Sequence, residues 1–140
     1  MVLVGFFILA VSITSIFFVS QQARDIDNQE VLLGQETAKL VGDEYNAAAL
    51  AGDGYKKTFA LDPAIAGKYP YKLRFLNYSS LSTAYVEISW NKGDRSFLYS
   101  VPLASRAIFS GAPITETPVE FESSKGALTI ENKNGGIYVS

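Results

Sequence analysis

Between Met1 and Val19 every position is apolar except Gly5, Ser12, Thr14 and Ser15, and the first charge is Arg24. As a helix rising 1.5 Å per residue, such a run spans about 30 Å, the thickness of a bilayer's hydrocarbon core. Each Leu, Ile, Phe or Val near the bilayer centre favours insertion by roughly 0.3 to 0.6 kcal/mol, and the three hydroxyls can bond back to carbonyls of their own helix. Phe6, Phe7, Phe17 and Phe18 point all round a helix, so a small domain could not cover every side. A helix that crosses a membrane, or lies in an equally dry bundle, is expected. A removable secretory signal begins with positive charge, carries a shorter apolar stretch and ends in an Ala-x-Ala-like site. None of these features is read here, so the helix is expected to be retained.

The pattern then turns polar without a helix breaker. Residues 20–50 contain no proline and are rich in Gln, Glu, Ala, Leu and Lys, with glycine only at Gly34 and Gly42, which are expected to be weak points or close-approach sites. Ile26, Leu33, Leu40 and Ala47 recur every seven residues, flanked by Leu32, Ala38, Val41, Tyr45 and Ala48. Opposite lie Arg24, Asp25, Asp27, Glu30, Glu36, Lys39 and Asp43, which makes an amphipathic second half. One helix from Met1 to about Leu50 would be roughly 75 Å long. Its stripe must meet either the chain's own sheet or another copy, and beyond Gly34 the sheet is the expected partner.

Gly52-Asp-Gly54 supplies the left-handed conformations that end a helix. Beyond it, seven short runs rich in aromatic and β-branched residues are separated by turn residues: 55–61, 71–77, 84–90, 96–101, 119–122, 127–131 and 136–139. In Tyr85-Val-Glu-Ile-Ser-Trp90 the alternation sends Val86, Ile88 and Trp90 to the core and Tyr85, Glu87 and Ser89 to a wet face. Asn91-Lys-Gly-Asp94 and Asn132-Lys-Asn-Gly-Gly136 read as hairpin turns. The fold class is therefore α+β: a long N-terminal hydrophobic and amphipathic α-helix (1–51, halves 1–19 and 20–51), then a mostly antiparallel, β-sandwich-like domain (52–140).

Composition narrows the function. The 140 residues contain neither cysteine nor histidine, which removes thiol catalysis, disulfides, imidazole acid–base chemistry and the usual zinc ligands. A net charge of −2, with basic and acidic residues interspersed, leaves no polycationic surface, so nucleic acid is not an expected partner. No cofactor is implied, and the chain does not read as an enzyme.

The chain runs from the apolar Val2-Leu-Val-Gly-Phe-Phe-Ile-Leu9 through an uninterrupted helix with an Ala-rich end to a Gly-x-Gly turn. A strand into Phe59-Ala-Leu-Asp-Pro63 follows, and Leu128-Thr-Ile-Glu-Asn132 and Gly135-Gly-Ile-Tyr-Val139 close the chain. In this order of parts it resembles archaeal type IV pilin-like proteins of the class III signal peptide type. The stretch from Val2 looks like the segment that succeeds the family's Gln-x-Ser-x-Glu-Tyr start. That start, its charged leader and its processing site have no counterpart in this sequence, so no cleavage residue is carried over.

The resemblance implies a subunit held in the membrane before assembly and then polymerised with identical copies into an extracellular filament at the archaeal cell surface, for adhesion or attachment to an unknown target. The polymerisation core would comprise Val2, Leu3, Val4, Phe6, Phe7, Ile8, Leu9, Val11, Ile13, Ile16, Phe17 and Phe18. A minor pilin, an archaellum-type subunit and a single-pass, membrane-anchored binding module share the same layout and stay open.

Local motifs add little chemistry. Asn77-Tyr-Ser79 is a candidate N-glycosylation acceptor if the domain is extracytoplasmic. Asp25-x-Asp27-Asn28-x-Glu30 has the residue types of a calcium loop but lacks its glycine and sits on a helix, where the side chains diverge, so a solvated face is expected. Ser123-Ser-Lys125 and Ser105-Arg106 read as surface turns and not as hydroxyl nucleophiles, since a lysine needs burial to act as a base. The eight tyrosines are expected in the core or as cross-strand partners.

Overall fold

A computed structural model describes residues 2–77, 84–104, 108–109, 119–134 and 136–140. One helix, α1 (Val2–Ala51), precedes eight strands: β1 (Lys56–Ala60), β2 (Tyr71–Asn77), β3 (Ala84–Lys92), β4 (Arg95–Leu103), β5 (Ile108–Phe109), β6 (Val119–Glu122), β7 (Ala127–Lys133) and β8 (Gly136–Val139). The α+β class holds, with the strands in two four-stranded sheets ordered β1-β7-β8-β5 and β4-β3-β2-β6. Every pairing between these strands is antiparallel except β5 with β8. The two-residue β5 carries too little pattern to be read as a strand from sequence.

The chain divides into two compact units, Met1–Leu32 and Leu33–Ser140. The second unit contains both sheets and the last turns of α1, and it holds the core. The helix stops at the expected signal: Gly52 and Gly54 take φ of +83° and +93°, where a side chain would be strained. Gly93, at φ +59°, lets β3 turn straight into β4 with Lys92 opposite Arg95. Asn134 takes φ +53° between β7 and β8, a conformation asparagine tolerates better than most residues.

The face that α1 turns to the core differs from the sevenfold stripe. Ala38, Val41, Tyr45 and Ala48 are fully buried and Gly34 and Gly42 are buried with them, whereas Leu33, Leu40 and Ala47 are exposed. The cause is steric. A β-carbon on Gly34 would overlap the six-membered ring of Trp90, and one on Gly42 would stand 2.9 Å from Val101 Cγ1. The helix lies so close to β3 and β4 that the smallest residues must face them, and larger leucines are left outside. Tyr45 is fully buried on the same line, its ring 6.3 Å from that of Phe75, which meets Phe121 edge-on at 5.9 Å.

In the β4-β3-β2-β6 sheet the alternation places Val86, Ile88 and Trp90 inward, as expected, with Leu73 and Phe75 buried across from them on β2. The opposite face is less wet than the sequence suggests. Glu87 is only 8 % exposed, and Leu76, on the same face, is buried as well. Arg74 explains the acid: it lies across from Glu87 on β3 and Glu120 on β6, with guanidinium nitrogens 3.9 Å and 3.1 Å from the two carboxylates. In the other sheet Leu128, Ile130, Ile137 and Val139 are buried. That sheet is tied to α1 by Asn132 Nδ2 donating to Ala48 O (2.9 Å) and by the Lys57–Glu44 ion pair (2.6 Å). The same hydrogen bond to Glu44 holds the Lys57 ammonium above its usual pKa.

Candidate assembly helix

The first unit is helix throughout its described residues. Its hydroxyls are satisfied locally. Ser12 Oγ donates to Ile8 O, Thr14 Oγ1 to Ala10 O and Ser15 Oγ to Val11 O, at 2.8–2.9 Å, and Ser20 Oγ donates to Phe17 O at 2.8 Å. Hydroxyls bonded back to their own helix leave no side-chain demand for water, so the surface from Val2 to Val19 is apolar in effect as well as in composition.

All twelve expected core positions, Val2, Leu3, Val4, Phe6, Phe7, Ile8, Leu9, Val11, Ile13, Ile16, Phe17 and Phe18, are at least 50 % exposed, as is Val19. Phe6, Phe7, Ile8 and Leu9 are consecutive and all exposed, which means that the apolar surface encircles the helix. At about 1.5 to 3 kcal/mol for each large side chain fully transferred from water, leaving these thirteen half to nine-tenths wet costs on the order of 20 kcal/mol. Moving this surface out of water, into lipid or against other apolar surface, would be favourable by an amount of that order. The helix is long and apolar enough to cross a membrane.

No family model, curated protein or solved structure matched the chain in the comparisons made. The assignment of a role therefore rests on the geometry and chemistry of its own residues.

The other candidate residues carry no comparable chemistry. Asn77 ends β2 opposite Ala84, while its side chain and the Tyr78 and Ser79 of its acceptor motif lie outside the described residues. Ser105 and Arg106 also lie outside them. Asp25, Asp27 and Glu30 do not come together as a three-residue ligand group among the described residues, and the solvated face expected of them holds for Asp25 but not for Glu30, which is buried. Ser123 is buried in a short 3-10 turn, where its Oγ accepts the Tyr71 N–H at 3.2 Å, and Lys125 Nζ sits 4.5 Å from the centre of the Phe121 ring. A hydroxyl so engaged, with its nearby ammonium over an aromatic face, is structural. Tyr45 and Tyr71 are core residues, while Tyr99 stays 37 % exposed.

Sequence reasoning overlooked Leu40 and Leu50 as outward-facing positions. They remain exposed in the second unit, on the side of α1 away from its buried line. The signal lay in Gly34 and Gly42, expected from sequence as weak points or close-approach sites, because small residues at helical spacing mark the side that a neighbour presses against.

Proposed function

We propose that this chain is the structural subunit of an archaeal type IV pilus-like surface filament, assembled through the helix Val2–Val19 and serving adhesion or surface attachment. The observation that carries this reading is the all-round exposure of the thirteen apolar side chains with every hydroxyl among them bonded internally. Such a helix is equally stable among lipids and among copies of itself, so moving it from a bilayer into a bundle exchanges one dry environment for another at small cost. Once the bundle is outside the membrane, releasing a subunit exposes the whole surface to water, which makes the polymer durable without disulfides. Contacts between different surfaces of successive copies generate a helical filament when the rotation does not close.

The exposed Leu40 and Leu50 support lateral contacts beyond the apolar segment. A single-pass, membrane-anchored binding module is the second reading, because the same apolar surface suits lipid alone. Shearing cells and sedimenting the released material separates the two: a polymer is recovered in the pellet as filaments, whereas an anchored monomer stays with the membranes and leaves with detergent. Replacing Phe7 by Glu should abolish filaments while the sheet domain stays folded, since it strands a charge in an apolar bundle. Normal filaments from that variant would overturn the assembly reading.

A further inference from the structure

The end strands of the two sheets are not alike. β1 carries Lys56 and Lys57, β6 carries Glu120 and Glu122, and β5 is two residues long. Charges on an edge keep it from pairing with its own kind. β4 has nine residues and no charge after Arg95 at its start, and its Ser96-Phe-Leu-Tyr-Ser-Val101 combines β-forming side chains with neither proline nor glycine. Leu98 is 60 % exposed and Tyr99 37 %. Among the described residues no strand covers the outer edge of β4.

The turn at the start of β4 fixes which of its main-chain groups face that edge. Gly93 and Asp94 form a two-residue turn, so Lys92 and Arg95 are a pair that exchanges both its hydrogen bonds. Bonding alternates along an antiparallel ladder. Arg95, Phe97, Tyr99, Val101 and Leu103 therefore bond to β3, whereas Ser96, Leu98 and Ser100 turn N–H and C=O outward. Pro102, which has no N–H to offer, falls in the same outward series, where an edge strand tolerates it.

We propose that β4 pairs with β4 of a second copy, antiparallel and about a two-fold axis at Leu98. Pro102 and the turn select this register. With Leu98 opposite Leu98 of the second copy, Ser96 falls opposite Ser100, and every outward N–H and C=O from Ser96 to Ser100 is met. A shift by one bonding step sets Ser96 against Pro102, which has no N–H, or Ser100 against Asp94 in the turn. Leu98 then packs on its counterpart and Phe97 on Tyr99, covering apolar surface that the single chain leaves exposed. Arg95 lies about 20 Å from its counterpart, too far to repel it. A strand pair about 20 Å long falls short of the roughly 1,200–2,000 Å² that a stable soluble dimer buries. The contact therefore forms where copies are already concentrated, as when the helix long enough to cross a membrane holds them in one bilayer. An isologous contact closes on itself, so this one cannot propagate a filament and stands or falls apart from assembly through Val2–Val19.

The test uses single cysteines, since the chain has none of its own, in the full chain reconstituted into phosphatidylcholine vesicles and exposed to a mild oxidant. L98C is expected to give a disulfide-linked dimer, because hydrogen-bonded partners have Cα atoms about 5.5 Å apart, within disulfide reach. S96C alone should not, since its counterpart lies about 14 Å along the strand, whereas S96C mixed with S100C should link. S100P in the L98C chain keeps the β3 pairing, because that N–H faces outward, and should cut the dimer roughly tenfold. An L98C yield no higher than that of S96C alone, no linkage between S96C and S100C, or full linkage with S100P would each overturn the contact. The cysteine comparison decides even if the proline variant fails to fold.

Discussion

Trp90 lies flat against Gly34, with the six-membered ring of its indole occupying the space where any β-carbon at position 34 would project. The indole also stacks on Phe97 of β4 at 5.2 Å and an interplanar angle of 10°. With neighbours on both the helix and the adjacent strand, the ring cannot swing aside cheaply. Gly34→Ala should therefore lower the unfolding free energy by about 1 to 3 kcal/mol through overpacking, although alanine favours helix by roughly 1 kcal/mol. Gly5→Ala, where nothing lies within 4 Å of the new carbon, should lower it not at all. Urea unfolding of the full chain in detergent, followed by Trp90 fluorescence, measures both.

The helix register gives a second test. Val41 is fully buried and Leu40, its neighbour, is 47 % exposed. Val41→Ala should cost about 1 to 2 kcal/mol and Leu40→Ala under about 1, the reverse of the order that side-chain size alone would give. Equal losses, or a larger one at Leu40, would show that the helix presents a different face to the sheets.

This register also marks the limit of what was legible in the sequence. The apolar run from Val2, the Gly52-x-Gly54 stop and the spans of β2, β6 and β8 could be read because each depends on local chemistry: length, φ preference and alternation. Ala38, Val41, Tyr45 and Ala48 were legible as flanks of the stripe and are buried, but the stripe was centred on Leu33 and Leu40 because hydrophobic periodicity ranks leucine above glycine and alanine. A close helix-to-sheet contact ranks them the other way. Glu87 reads as wet for a similar reason, since its partner Arg74 is distant in sequence and meets it only through strand pairing. The apolar segment from Val2 to Val19 was legible because its surface depends on composition alone.

The charged row on the outer sheet face is expected to be unequal in its two links. Glu87 is buried and Glu120 is about half exposed, so removing Arg74 strands the former and barely affects the latter. Arg74→Met should destabilise by about 1 to 3 kcal/mol, short of a fully buried pair because the arginine is itself one-third exposed. Glu120→Gln should cost under about 1 kcal/mol, the usual worth of an exposed pair. Denaturant midpoints of the two variants check the difference.

Tyr71 should confer a stability loss at high pH. Burial, with the nearby Asp62 charge adding to it, pushes its hydroxyl up to about 12. Above about pH 10 the unfolded chain releases this proton while the folded chain keeps it, so stability falls as pH rises from about 10 to 12 and is unaffected below that window. Tyr71→Phe should flatten this part of the pH profile, as read from melting temperatures between about pH 9 and 12. An unchanged slope would mean that Tyr71 ionises alike in both states.

Where the helix Val2–Val19 resides once the protein is at work is read most directly from a density map of filaments sheared from the cell surface. The expected map shows these helices packed around the filament axis, each enclosed by other copies, with the sheets outside. A map in which they lie at the periphery in contact with solvent, or in which the mature subunit lacks them, would contradict assembly through this helix.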